Sequence, residues 1–338
     1  MQVKKGLRKI MATCMAFILC FAGLTGCGAN PSGDGLSSAV SDTGKNSSNG
    51  ESGPDEQTVT VQDVKGDVEI PANPQRIVDI SGNSDILHIL GYSVVGTANS
   101  DAYDYTKFPS FLEDALAGAE IVGFSYQDTM DIENILPLEP DLIILSTRQE
   151  KMYDQLKEIA PVVMIELAQI DWKEDLMTLA EMFNKTGEAQ TWLDGYLEKA
   201  AYVGKQIQAE YGEDTSYLSV LASGGQLYVF DAAGMGSVLY EDMGLVKPTG
   251  MPEQENVSLP VVTYEGLAAI DADYIFVIAQ EADLAALKEN ALWNSLPAVT
   301  AGHVVELPSS PYFNQGYSPI GRILLLDEVS GLLEQTAK

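Results

Sequence analysis

The chain has 338 residues, with 19 Lys and Arg against 49 Asp and Glu, and a formal net charge of −30. Such an acidic chain has no electrostatic basis for binding nucleic acid non-specifically or for lying on an anionic membrane by charge. Two distant histidines, His88 and His303, and no Cys or His cluster argue against a protein-held zinc or manganese site.

In chain order, Lys4, Lys5, Arg8 and Lys9 precede an apolar run over residues 10–24, which ends in Leu24-Thr25-Gly26-Cys27. This is the charged, apolar and small-residue order of an export signal, and its Cys resembles that of a bacterial lipobox. The apolar run falls short of the roughly 20 residues that span a bilayer. Residues 1–26 are expected to be removed, leaving Cys27 to carry lipid on its sulfur as the only membrane attachment. Cys14 and Cys20 leave with the signal, so the mature domain has no thiol for disulfides or metal. Its net charge becomes −34, from 15 basic and 49 acidic residues. Residues 27–56 are rich in Gly, Ser, Asn and Asp and read as a flexible tether with a reach of roughly 30 Å.

Residues 59–70 alternate as a hairpin around Lys65-Gly66-Asp67 and are stopped by Pro71-Ala72-Asn73-Pro74. A first core strand is predicted over 76–80, with short strands at 94–96 and 121–123, a buried one at 142–145 and another at 162–167. A helix at 172–183 leads into a long one at 186–211. There Ala189, Trp192, Leu193, Tyr196, Leu197, Ala200, Val203 and Ile207 keep i, i+3, i+4, i+7 spacing, between Thr186 as N-cap and Gly212 as stop. At 1.5 Å per residue it is about 37 Å long, and it accepts Gly195 and Gly204 at a cost of about 1 kcal/mol each. Strands follow at 217–221, 227–230, 274–278 and 304–307, with helices at 237–243, 284–290 and 320–335. The alternation predicts two α/β lobes of the same parallel-sheet architecture, 57–185 and 212–338, joined by the helix 186–211. Each lobe carries a Glu eight residues ahead of an Asp that opens an apolar strand: Glu133 and Asp141, then Glu265 and Asp273.

The run Ile70-Pro71-Ala72-Asn73-Pro74-Gln75-Arg76-Ile77-Val78, the segment Leu138-Glu139-Pro140-Asp141-Leu142-Ile143-Ile144, Ile159-Ala160-Pro161, and Leu292-Trp293-Asn294-Ser295-Leu296-Pro297-Ala298-Val299 resemble the iron-siderophore-binding lipoproteins of bacterial ABC importers. The resemblance spans residues 58–335 in order and spacing. It implies two Rossmann-like lobes joined by one rigid helix, the class III periplasmic-binding-protein fold, with a ferric hydroxamate, catecholate or related siderophore held between them. It implies a monomer that works with an ABC permease and its ATPase on the outer face of the cell membrane, in a Gram-positive-type bacterium. Iron then arrives already chelated, and the protein needs no metal site of its own.

Arg148, in the context Ser146-Thr147-Arg148-Gln149, follows the strand at 142–145 and matches an Arg that meets siderophore oxygens in similar proteins; a guanidinium suits an anionic ferric complex. The corresponding second-lobe stretch, Asp231-Ala232-Ala233-Gly234-Met235-Gly236, has no cation, which fits a less charged complex and leaves the ligand class open. Tyr126, Tyr228, Tyr312, Phe313 and Tyr317, at predicted loops and strand ends, are candidates to pack on the ligand's organic shell, with Asn83 as a polar one. In similar proteins the two Glu, here Glu133 and Glu265, dock onto Arg pockets of the permease. Gly-x-Ser-x-Gly does not occur and neither His stands in a triad context, which argues against a hydrolase. A haem or cobalamin carrier of the same fold, with Tyr312, Met235 or Tyr317 as axial ligand, and a sensing lipoprotein uncoupled from transport are the alternatives.

Overall fold

The computed structural model describes residues 57–166, 171–256 and 258–336; the signal, Cys27, the tether and the end of the strand expected at 162–167 lie outside them. The chain opens with a hairpin of β1 (Thr58–Asp63) and β2 (Gly66–Pro71), closed by the pair Asp63 and Gly66 around Val64-Lys65. Gly66 sits at φ +126°, a conformation that favours glycine. The Asp63 carboxylate accepts from the N–H of Met164, fastening the hairpin tip to the first sheet.

That sheet contains β3 (Ile77–Asp79), β4 (Val94–Thr97), β5 (Glu120–Ile121), β6 (Leu142–Ser146) and β7 (Val162–Ile165), in the order β5-β4-β3-β6-β7 and parallel throughout. Its side chains alternate between two cores. Ile77, Leu142 and Ile144 face one, while Val78, Ile143 and Leu145 face the other, so both faces are covered as a parallel sheet requires.

The second sheet contains β8 (Tyr217–Ser223), β9 (Gln226–Val229), β10 (Val261–Val262), β11 (Tyr274–Ala279) and β12 (Val304–Pro308), in the order β10-β9-β8-β11-β12. Only β8, β11 and β12 are parallel to one another. β9 returns antiparallel to β8 through Gly224 and Gly225, both at positive φ, and β10 pairs antiparallel with β9. The expectation that the second lobe repeats the first is corrected here. Two glycines at positive φ make the tight hairpin turn that a strand pair of this hand needs, where a parallel crossover would need a dozen residues or more.

The long helix spans Thr186–Tyr211, 26 residues, ending at Gly212 with φ +111°. Its N-cap is Lys185, with Thr186 already helical and no side chain capping the end, which corrects the expected Thr186 cap. Ala189, Leu193, Tyr196, Ala200 and Ile207 are buried along the predicted stripe, with Trp192, Leu197 and Val203 half-buried beside them. Gly204 is more than tolerated: a Cβ there would stand 1.9 Å from the carbonyl oxygen of Met243, so the helix meets the second lobe backbone to backbone.

At this junction Asp242, its side chain fully buried, receives Arg322 Nη1 at 2.7 Å, Lys173 Nζ at 2.8 Å and the Tyr196 hydroxyl at 2.6 Å. These donors come from the C-terminal helix (Pro319–Glu334), the helix Trp172–Met182 and the long helix, so one carboxylate ties three helices together. Burial alone would make each charge costly; the mutual pairing offsets that. Arg322 also lies over the ring of Trp172 and donates to Ser237 Oγ. The C-terminal helix packs on the long helix and also on the first-lobe helix Ser84–Ile89 and the turn Ser110–Leu112.

The two repeated aspartates do the same structural work. Asp141 accepts from the N–H groups of Gln75 and Arg76 at the foot of β3, and Asp273 accepts from the N–H and hydroxyl of Ser216 at the foot of β8.

Candidate functional site: a cleft lined by rings from both lobes

In a doubly wound sheet the crevice opens beyond the carboxyl ends of the strands, where the strand order reverses. In the first sheet that point lies between β3 and β6, the strands followed by Asn83 and Arg148. The turn after β3 wraps around Asp79, whose buried carboxylate accepts from the N–H of Ser81 and Asn83 and from the hydroxyls of Ser81 and Ser84. Burial raises the Asp79 pKa, and these hydrogen bonds partly counter it. Gly82, at φ +97°, lets this turn close on Ser125, where a Cβ would come within 2.8 Å. Gln149 then holds the Tyr126 loop: its Oε1 accepts from the N–H and hydroxyl of Ser146, while its Nε2 donates to the carbonyls of Ser125 and Gln127.

The result is a ladder of rings on the first lobe. Tyr105 stacks on Phe124 with centroids 4.5 Å apart, Phe124 on Tyr126 at 5.2 Å, and the Arg148 guanidinium stands 5.6 Å from the centre of the Tyr126 ring. Arg148 Nη1 also donates to the Tyr126 carbonyl at 3.3 Å and lies 3.8 Å from Asp128, while its Nε is buried with no acceptor. Glu150, two residues further on, is paired with Lys65. Burial pushes the Tyr126 phenol up to about 12, against a smaller pull down from Arg148, so it stays a protonated donor.

Across from the ladder, Leu221, Ser223, Tyr228 and Phe313 of the second lobe complete a cavity of about 270 Å³ with Ala102, Tyr103, Phe124 and Tyr126. Two smaller cavities adjoin it through shared walls. One, of about 60 Å³, is lined by Asp85, Asn99, Phe111, Phe124, Tyr126 and Tyr317 among others. The other, of about 70 Å³, includes Asn83, Tyr126, Trp172, Asp175 and Tyr317. Among the described residues, no Lys or Arg lines any of the three. The lobes are stitched beside the cleft by Ser310 Oγ to Asp101, Asn314 Oδ1 to the Ala102 N–H, Ser318 Oγ to Asp85, and the edge of Tyr103 on Phe313 at 5.9 Å.

The candidates singled out in the sequence divide accordingly. Tyr126, Tyr228 and Phe313 line the main cavity, Tyr317 and Asn83 line the smaller ones, and Arg148 backs Tyr126. Tyr312 lines none of them, because its hydroxyl is directed to Glu328 at 3.1 Å. Met235 is 1 % exposed within the core and is unavailable as an axial haem ligand. Tyr103 and Phe124 were missed. Both sit in separate loops without periodicity, which only the fold brings together. Glu133 and Glu265 are exposed, each in the first turn of a short helical segment (Ile132–Asn134 and Tyr264–Ala268), and neither forms a salt bridge among the described residues.

Two α/β lobes, one connecting helix and a cleft between strand ends define a binding protein of the single-helix-hinge class. Residues 81–311 match the family model described as periplasmic binding protein, and the chain belongs to that family, whose members are substrate-binding proteins and not enzymes. It is 29 % identical to the iron(3+)-hydroxamate-binding protein FhuD of Bacillus subtilis, over 95 % of this chain and 97 % of that one. It is 28 % identical to the probable siderophore-binding lipoprotein YfiY of the same organism, over 80 % and 86 %. Among solved structures, it resembles a FhuD-fold periplasmic binding protein component of a Fep/Fec-like ferrichrome ABC transporter from Bacillus subtilis. That match has a TM-score of 0.68 and 27 % identity, covering 81 % of this chain and 99 % of that one.

Proposed function

We propose that this protein is a lipid-tethered substrate-binding protein of an ABC importer, which captures a ferric siderophore between its lobes and delivers it to a permease. The observation that carries this reading is the cavity of about 270 Å³, walled by rings from both lobes and backed by one guanidinium. Rings pack on the organic shell of a chelate, and protonated phenols such as Tyr126 donate to its oxygens. With Arg148 behind Tyr126 and no Lys or Arg among the described residues lining it, the cleft suits a complex of low net charge, such as a ferric hydroxamate, better than a highly anionic catecholate. Cys27 holds the protein at the outer face of the membrane, and the tether lets the domain reach its permease.

The exposed pair Glu133 and Glu265, one on each lobe, serves as the docking anchors. A partner with two matching Arg pockets grips both lobes and senses their separation. Ligand titration by native mass spectrometry against ferric hydroxamates, ferric catecholates, ferric citrate, haem and cobalamin tests the reading. A hydroxamate complex is expected to bind, and binding of haem or cobalamin alone overturns it. For docking, the double variant Glu133→Ala with Glu265→Ala is expected to lose uptake while keeping ligand affinity, and normal uptake rejects those anchors.

A further inference from the structure

Behind Phe124 and Tyr126, which also wall the main cavity, lies the side cavity of about 60 Å³. Phe111, Phe124, Tyr126 and Tyr317 line it together with a single carboxylate, Asp85, which is 2 % exposed. Asp85 Oδ2 accepts from Ser318 Oγ and Oδ1 from the Ile86 N–H. No salt bridge reaches it among the described residues, and Arg148, over the outer ring of Tyr126, does not line the cavity. Burial pushes its pKa up to about 6, so near neutral pH it is charged and, among the described residues, in a salt bridge with no cation. A buried carboxylate of this kind is stabilised by an opposite charge, and aromatic rings favour a cation over an anion at the same place. The free space is about that of two waters, enough for an ammonium group and the methylene that carries it. A neutral amide placed there leaves the carboxylate charge unmatched.

We propose that this chamber is a subsite for a primary alkylammonium group at the end of a ligand arm, so that the cleft prefers ferric complexes with a free amine over the same complexes with the amine capped. The inference rests on the ferric-siderophore reading and deepens it, since the main cavity takes the iron chelate while Asp85 reads the arm. The protein's negative charge draws such a cation toward the cleft without choosing between amines.

The test compares ferrioxamine B, a linear ferric trihydroxamate that ends in a primary amine, with its N-acetyl derivative, by quenching of intrinsic fluorescence. Wild-type protein is expected to bind the amine form about tenfold or more tightly than the acetylated form. Asp85→Asn is expected to shrink that ratio to about twofold or less. Equal affinities in the wild type overturn the subsite while leaving the siderophore reading in place, as expected if the chamber holds only ordered water. A full ratio in Asp85→Asn overturns it equally, and binding of neither complex overturns both readings. If the variant does not fold, the wild-type pair still decides the matter: an amine preference that survives about 0.5 M NaCl supports the subsite, and one that vanishes in that salt reflects long-range charge and overturns it.

Discussion

Both lobes carry a five-stranded sheet, but β3, β4, β5 and β6 of the first all send their following loops toward the cleft, whereas in the second β9 doubles back on β8 at Gly224 and Gly225. The first lobe therefore supplies the ring ladder, the buried carboxylates and Arg148. The second supplies Leu221, Ser223, Tyr228 and Phe313, a mostly uncharged wall. On the proposed reading the difference gives recognition chiefly to the first lobe, while the junction at Asp242 ties the second lobe to the long helix.

The largest expected effect comes from breaking that junction. Asp242→Asn leaves the Arg322 guanidinium, 2 % exposed, without its carboxylate and is expected to destabilise the protein by about 3–5 kcal/mol in urea denaturation. A loss under about 1 kcal/mol would mean that the lobes are held by apolar packing alone.

The division of labour itself is probed by ligand affinity. Arg148→Ala is expected to weaken binding of the true ligand by about 1.5–3 kcal/mol with little change in stability, while Tyr228→Ala loses about 1 kcal/mol or less. Titration calorimetry on both variants reads the contrast, and a reversed order would place recognition on the second lobe.

Two glycines of one helix sharpen the packing argument. Gly204→Ala is expected to cost about 1–3 kcal/mol because its Cβ meets the Met243 carbonyl, whereas Gly195, exposed and with nothing within 4 Å of a Cβ, is expected to gain up to about 1 kcal/mol when changed to Ala. Equal effects in thermal denaturation would contradict the close approach.

A pH slope probes the buried carboxylate of the first lobe separately. Asp85 has its pKa raised from 3.8 to about 6 by burial, so the folded state holds its proton more tightly than the unfolded chain does. Its stabilising contribution is full below about pH 4 and is lost as pH rises through about 6. Urea midpoints of wild type minus Asp85→Asn are expected to fall across that window, and a flat difference would show that Asp85 is not desolvated.

Much of this architecture was written in local pattern. The 3.6-residue stripe gave the long helix its bounds at Thr186 and Tyr211, and apolar runs located the buried strands β6, β8 and β11. Direction was harder to read, since alternation alone does not say whether β9 runs parallel; the Gly224-Gly225 pair carried that information and was passed over. Gly204 looked like a weak point because helix propensity is local, while the Met243 carbonyl that requires it is 39 positions away in sequence. In the cleft, Tyr126, Tyr228 and Phe313 were legible as aromatics in predicted loops or at strand ends, although Tyr228 stands within β9 and Phe313 in the helix Ser309–Gln315. Tyr103, Phe124 and Asp85 depended on how separate loops converge, and no single stretch of sequence encodes that.

The central claim, capture between the lobes, is tested most directly by hydrogen exchange with and without a ferric hydroxamate such as ferrichrome. Slowed exchange is expected in three stretches at once, residues 98–106 and 122–128 of the first lobe and 309–317 of the second, with the long helix unchanged. Protection confined to one lobe, or lying outside these loops, would contradict it.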